Sequence, residues 1–310
     1  MEIARSSARD RDRDHGRGRV DEWARGYVHG YSGREARRLG DQADALAGLL
    51  HDGTSYPAGS RVLEVGCGVG AQTVHLVSRS PGARLTAVDV SAASLEQARA
   101  RLAGACPGAW VDWRVGDLRD LPFRDGEFDH LFVCFVLEHL PDPRAALAGL
   151  RRVLRPGGTV TVIEGDHGSA FLHPDSAHAR AVIAHQVALQ AAAGGDALIG
   201  RRLTPLLSDA GYEGVEVGPR TVYADRGRPG LARAFTRDTF TAMVEAVRDE
   251  AVAAGLATPA DWDRGIADLH RAAGPDGTFH YAFFKGVAVN PAGGRVSRRA
   301  GGGRGVPGRG

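Results

Sequence analysis

The residues best placed to do chemistry are Glu64-Val65-Gly66-Cys67-Gly68-Val69-Gly70, followed downstream by two further acids, Asp89 and Asp117. Glycines at this density let a backbone turn tightly and approach a ligand, and a helix starting after them offers unpaired N–H groups. Asp89 comes 19 residues after Gly70, at the end of an apolar run, where a carboxylate can accept hydrogen bonds from both hydroxyls of a ribose. Asp117 follows a third such run and could accept from the exocyclic amine of adenine. A pyrophosphate loop fits less well. Gly66, Gly68 and Gly70 recur every second residue instead of as Gly-x-Gly-x-x-Gly, and a carboxylate at Glu64 suits a cationic ligand better than a phosphate.

The elements that must hold these residues alternate. Short apolar runs at 61–65, 84–90, 111–115, 128–136 and 159–164 predict strands. Between them, helices are expected from Gly70 to about Arg79, from the N-cap Ser91 to about Gly104, and from Pro143 to Leu154, the last stopped by Arg155-Pro156-Gly157-Gly158. Strands separated by helices of this length mean a doubly wound α/β fold with a parallel sheet. The acids after strands one, two and three then converge at its carboxyl edge, where open α/β folds bind ligands. Downstream, helices are expected near 175–193 and 201–210, β-rich runs at 214–223 and 279–289, and helical spacing through 231–254 and 260–272.

Composition narrows the field. The chain of 310 residues is 43% hydrophobic and 25% charged, with a formal net charge of +2, too balanced to argue for nucleic acid or a membrane surface. Lys285 is its only lysine; the arginine, glycine and alanine bias reads as that of a GC-rich genome. No apolar run is long enough for a membrane-spanning helix, and residues 1–19, with six arginines and three aspartates, do not read as a secretory signal. Three cysteines without metal-type spacing suggest neither a disulfide framework nor a zinc site, so a reducing, cytoplasmic setting is expected. Residues 1–19 and the Arg/Gly-rich 290–310 are expected to be disordered tails flanking a 20–289 domain.

Glu64–Gly70, Asp89, Gly116-Asp117 with Leu121-Pro122-Phe123, Phe128-Asp129, Glu138-His139-Leu140 and Leu154–Gly158 resemble, in order over about 60–165, the motifs of class I S-adenosylmethionine-dependent methyltransferases. The resemblance implies a seven-stranded Rossmann-like sheet with a reversed final strand, 214–223 and 279–289 supplying strands six and seven. It implies that Gly66, Gly68 and Gly70 pass close to the amino-acid part of the cofactor and that Asp89 holds its ribose, with Glu64 among the binding residues. Asp117 and Leu118 would line the adenine, and Phe135 or Val136 would face the sulfonium side. It also implies an N-terminal lid at about 20–55, with Tyr27 or Tyr31 aimed at the methyl donor. Trp23, Tyr27 and Tyr31 share one helical face, which equally suits a stripe packed on the sheet.

Acceptor-specific residues are expected in helical insertions at about 166–200 and 224–278, together long enough to roof a pocket for a small organic molecule. Asp166 and His167 are candidates for substrate binding. Glu138, His139, His178 and His185 are candidates for catalysis, the last two seven residues apart on one helical face. No histidine spacing matches a common metal site. The segment Tyr27–Glu35, Asp166-His167-Gly168-Ser169 and Phe283-Phe284-Lys285 resemble a bacterial subgroup acting on secondary metabolites, which suggests indole C3 methylation of a tryptophan-containing cyclodipeptide with pyrroloindoline closure. An O- or N-methyltransferase of another natural product, an RNA methyltransferase using the Arg/Gly tail, and a non-catalytic cofactor-binding partner remain alternatives. No membrane partner is expected, nucleic acid is disfavoured, and a homodimer stays open.

Overall fold

The computed structural model describes residues 43–292. Tyr27, Tyr31, most of the expected lid and nearly all of both tails lie outside the described residues.

Alternation builds the central strand. In β1 (Arg61–Val65), Leu63 and Val65 enter one core layer while Val62 enters the other. Glu64 shares the Val62 face. Helical residues 43–50 (α1), α2 (Ala71–Arg79) and α3 (Ala92–Ala105) cover that face. β2 (Arg84–Asp89) and β3 (Asp112–Val115) extend the sheet on one side of β1, all parallel. β4 (Phe128–Cys134) pairs on the other side and is followed by α4 (Pro143–Leu150), which packs on the opposite layer. The whole sheet has seven strands in the order β3-β2-β1-β4-β5-β7-β6, with β7 (Thr278–Val289) antiparallel to β5 (Leu154–His173) and β6 (Glu213–Ala224). The order reverses between β1 and β4, so the crevice outside their carboxyl ends is where an α/β sheet of this kind accepts a ligand.

Several boundaries differ from the sequence reading. β4 stops at Cys134 because Phe135 takes a left-handed conformation, φ +58°. α4 ends at Leu150, four residues short of expectation, and Arg155-Pro156-Gly157-Gly158 already belong to β5. β5 also runs on to His173 through a register shift between Asp166 and Phe171. The first insertion is therefore a strand extension paired with β7 before it becomes helical at α5 (Ala177–Ala192). α6 (Leu203–Asp209) follows. The second insertion is helical as expected, but its first helix, α7 (229–245), contains a π-helical stretch over Ala232–Thr241. There Thr239 and Thr241 donate to the carbonyls of Ala234 and Thr236, five residues back. α8 (Arg248–Ala253) and α9 (Pro259–Ala272) complete it. Asn290, expected to open the tail, is buried and donates to the Leu154 carbonyl, 2.7 Å away.

Candidate active site

The turn after β1 is shaped by three left-handed glycines with different reasons for lacking a side chain. A methyl group at Gly66 would lie 2.5 Å from Val136, and one at Gly70 would lie 2.8 Å from the Cβ of Ala98 on α3. A methyl at Gly68 would meet nothing within 4 Å. The outer two glycines thus serve packing, and the middle one faces open space at the switch point. Asp89, at the end of β2, holds this loop. Its Oδ2 accepts from the Gly68 amide (2.8 Å) and its Oδ1 from the Ser91 amide (2.9 Å). Burial raises its carboxyl above the ordinary range despite these bonds.

Glu64 sits beneath the loop with 2% of its surface exposed, accepting from the Thr73 hydroxyl on α2 at 2.6 Å. Burial, with the charge of Asp89 adding to it, pushes its carboxyl up to about 8. Glu64 therefore keeps its proton through neutral pH in the folded chain. Asp117 is differently engaged. Both its oxygens accept from the Arg119 guanidinium, and Oδ1 also takes the Arg119 amide. Partial burial raises its pKa, but the Arg119 hydrogen bonds outweigh that and hold it below the usual range. Leu118 beside it packs half-buried against the β4 layer.

At the end of β4, the ring of the half-buried Phe135 lies 5.4 Å from that of Phe283 on β7. A non-glycine residue in this conformation costs about 1 kcal/mol or more and persists only where neighbours enforce it. The enforcing residue is Glu164, which the sequence reading missed. Its Oε1 accepts from the amides of Val136 (3.0 Å) and Leu137 (2.8 Å), fixing the short turn that carries Glu138 and His139. Glu138 Oε1 approaches His139 Nε2 at 3.7 Å.

The remaining candidates are placed differently from expectation. His185 stacks on Trp262 of α9, and the His178 carbonyl lies 2.7 Å from where a Cβ on Gly265 would be. His185 thus belongs to the α5–α9 contact, where the backbone at His178 also approaches Gly265. The face of α5 that reaches Glu138 carries Gln190 instead. Asp166 accepts from Nε and Nη2 of Arg201 (2.8 and 2.7 Å) and from the Gly168 amide (3.1 Å), so it anchors the β5 extension more than it offers a free carboxylate. His167 is buried, with Nδ1 3.0 Å from the Tyr281 hydroxyl and Nε2 3.4 Å from the Met243 sulfur. Burial lowers its pKa, keeping it neutral.

A family model described as a methyltransferase domain matches residues 63–162. An uncharacterized 37.1 kDa protein in a transposon of Streptomyces fradiae is 34% identical over 238 residues, 76% of this chain and 64% of that one. A ubiquinone/menaquinone biosynthesis C-methyltransferase of Paracoccus denitrificans is 33% identical over 147 residues, 45% of this chain and 59% of that one. This chain thus spans about three-fifths of the length of either relative. In fold, phosphoethanolamine N-methyltransferase 2 of Haemonchus contortus, solved with S-adenosylhomocysteine, superimposes with a TM-score of 0.51 at 18% identity, over 80% of this chain and 53% of that one. Among the described residues no helix is long and apolar enough to cross a membrane.

Proposed function

This chain belongs to the class I S-adenosylmethionine-dependent methyltransferases, and from that premise we propose that it binds S-adenosylmethionine over Gly68 and methylates a small organic acceptor. The observation that carries the reading is the pairing of an open left-handed glycine with a carboxylate holding its amide: Gly68 leaves room for a ligand that Asp89 borders. The residues fit the cofactor. Asp89 has the oxygens a ribose needs, Glu64 can meet a cationic amino group, and Gly68 lets backbone approach it. Asp117 fits in part, because Arg119 engages both its oxygens and leaves fewer lone pairs for an adenine amine. When bound, the cofactor supplies an electrophilic methyl group on a sulfonium. The protein's task is to align the acceptor with that methyl, exclude water and take up a proton.

For the acceptor, we infer an electron-rich indole, methylated at C3, in a tryptophan-containing cyclodipeptide. Attack of the amide nitrogen at C2 would then close a pyrroloindoline, with the amide proton leaving to a base. The half-buried ring of Phe135, tilted by 47° against that of Phe283, supports this, since an aromatic side chain suits a π acceptor better than a charged or saturated one. Incubation with methyl-labelled cofactor and a panel of tryptophan cyclodipeptides tests it. Label should appear in a product lacking the indole chromophore. Transfer to an oxygen or nitrogen of other acceptors alone would overturn the indole assignment, and no S-adenosylhomocysteine binding would overturn the whole reading.

A further inference from the structure

Glu138, in the turn after β4, and Glu164, midway along β5, are two acids that the cofactor loop does not use. Glu164 has none of its surface exposed. Its Oε1 caps the Leu137–His139 turn, while its Oε2 is buried without a hydrogen-bond partner among the described residues. Burial first, and then the nearby charge of Glu138, push this carboxyl well above the carboxylate range. The folded chain therefore holds this proton to higher pH than an ordinary carboxyl would.

Glu138 is gripped from the other side. Gln190 Nε2 donates to Glu138 Oε2 at 3.1 Å and to its carbonyl at 3.2 Å. Gln190 in turn accepts from Gln186 Nε2 at 3.1 Å, one helical turn earlier on α5. The two glutamines are 0% and 1% exposed, and Gln186 Oε1 is a second buried oxygen without a partner. A helix face that served packing alone would carry apolar side chains, because a buried amide is costly unless satisfied. An unpartnered carboxyl oxygen and an unpartnered amide oxygen flanking one carboxylate mark a place that receives a polar group.

We propose that Glu138 accepts the proton lost by the methyl acceptor, that Gln190 braced by Gln186 positions its carboxylate, and that Glu164, which caps the same turn, is its electrostatic neighbour. The proposal rests on the methyltransferase reading and narrows the acceptor to one that must shed an N–H or O–H proton. In the step, an electron pair of the acceptor forms the new bond to the methyl carbon, and the pair of the breaking carbon–sulfur bond stays with the departing sulfur. The N–H or O–H bond breaks, its electrons remain on the acceptor, and its proton moves to Glu138. The other titratable groups that feel this pair are His139 in the same turn, Cys134 on β4, His167 on β5 and Tyr281 on β7. Burial keeps the Cys134 thiol and the Tyr281 phenol protonated and His167 neutral, so those three add no charge near neutral pH.

Infrared spectroscopy of the full chain, without acceptor, tests the pair directly. Glu164→Gln should remove one protonated-carboxyl band present in the parent at neutral pH. Glu138→Gln should shift that band and lower its titration midpoint, because a negative neighbour is gone. With cyclo(L-Trp-L-Trp) as the probe acceptor, Glu138→Gln should lower kcat about 100-fold or more while KM and S-adenosylhomocysteine affinity hold. Gln190→Met, which keeps the volume and loses the donor, should lower kcat about tenfold and move the acidic limb of its pH profile. A Glu164 band that ignores Glu138→Gln overturns the pairing, whether or not the probe is methylated. Activity loss confined to His139→Gln would give the proton to the histidine and overturn the assignment. If the coupling is present but no probe is methylated, the pairing stands and the indole reading fails.

Discussion

At the scale of residues, the three glycines of the β1 turn separate packing from binding, and that separation is measurable. Gly70→Ala drives a methyl into Ala98, 2.8 Å from its Cβ and 2.9 Å from its Cα, and should lower stability to urea by about 3 kcal/mol. Gly68→Ala meets only conformational strain, about 1 kcal/mol, and should instead weaken cofactor binding. Equal losses of stability would mean that Gly68 is not open. Glu64 makes a second prediction, about pH. Its folded carboxyl, near 8, keeps a proton that the unfolded chain sheds at its ordinary, lower value. The folded state then binds more protons, so stability falls as pH rises from about 5 to 8, by up to about 1.4 kcal/mol per unit from this group. Urea midpoints of Glu64→Gln over that range should show a shallower decline than the parent; an unchanged slope would contradict the burial argument. Asp89 and the glycines were legible because their spacing relative to strand ends is dictated by backbone geometry. Glu164 was not, since a glutamate ending Thr159-Val160-Thr161-Val162-Ile163 looks like any acid leaving an apolar strand.

Elements decide which face a side chain shows, and periodicity gives spacing without azimuth. His178 and His185 are two turns apart on α5, and the ring of His185 stacks on Trp262 of α9. The double variant His178→Ala, His185→Ala should therefore leave turnover near that of the parent, with stability lowered by about 1 kcal/mol through the lost contact with Trp262. A collapse of kcat with the fold intact would restore a catalytic role. The same limit hid Gln186 and Gln190, whose importance depends on a neighbour 52 positions away from Gln190 in sequence. The β5 extension was missed for a related reason. Gly165, Gly168 and Ser169 break the apolar alternation, yet pairing with β7 carries the strand through them by a register shift. The π-helical stretch was equally invisible, because its apolar residues satisfy helical spacing and only the hydroxyls of Thr239 and Thr241 reveal the wider turn.

For the molecule as a whole, the strand–helix alternation through 61–164 was enough to specify a parallel sheet, and the resemblance supplied the antiparallel β7 that closes it. The sheet brings the ends of β1, β2 and β4 to one crevice. The small-acceptor reading predicts that deleting 293–310 leaves methyl transfer to a cyclodipeptide unchanged. Salt-sensitive RNA binding and RNA methylation lost on that deletion would favour a nucleic-acid substrate instead. The most direct test of the central claim is calorimetric titration of S-adenosylhomocysteine into the parent, Asp89→Asn and Asp89→Ala, each with its unfolding midpoint measured alongside. The parent should bind at one site, and Asp89→Ala, still folded, should bind about 100-fold more weakly, with Asp89→Asn between them. Equal affinity in a folded Asp89→Ala would contradict the account.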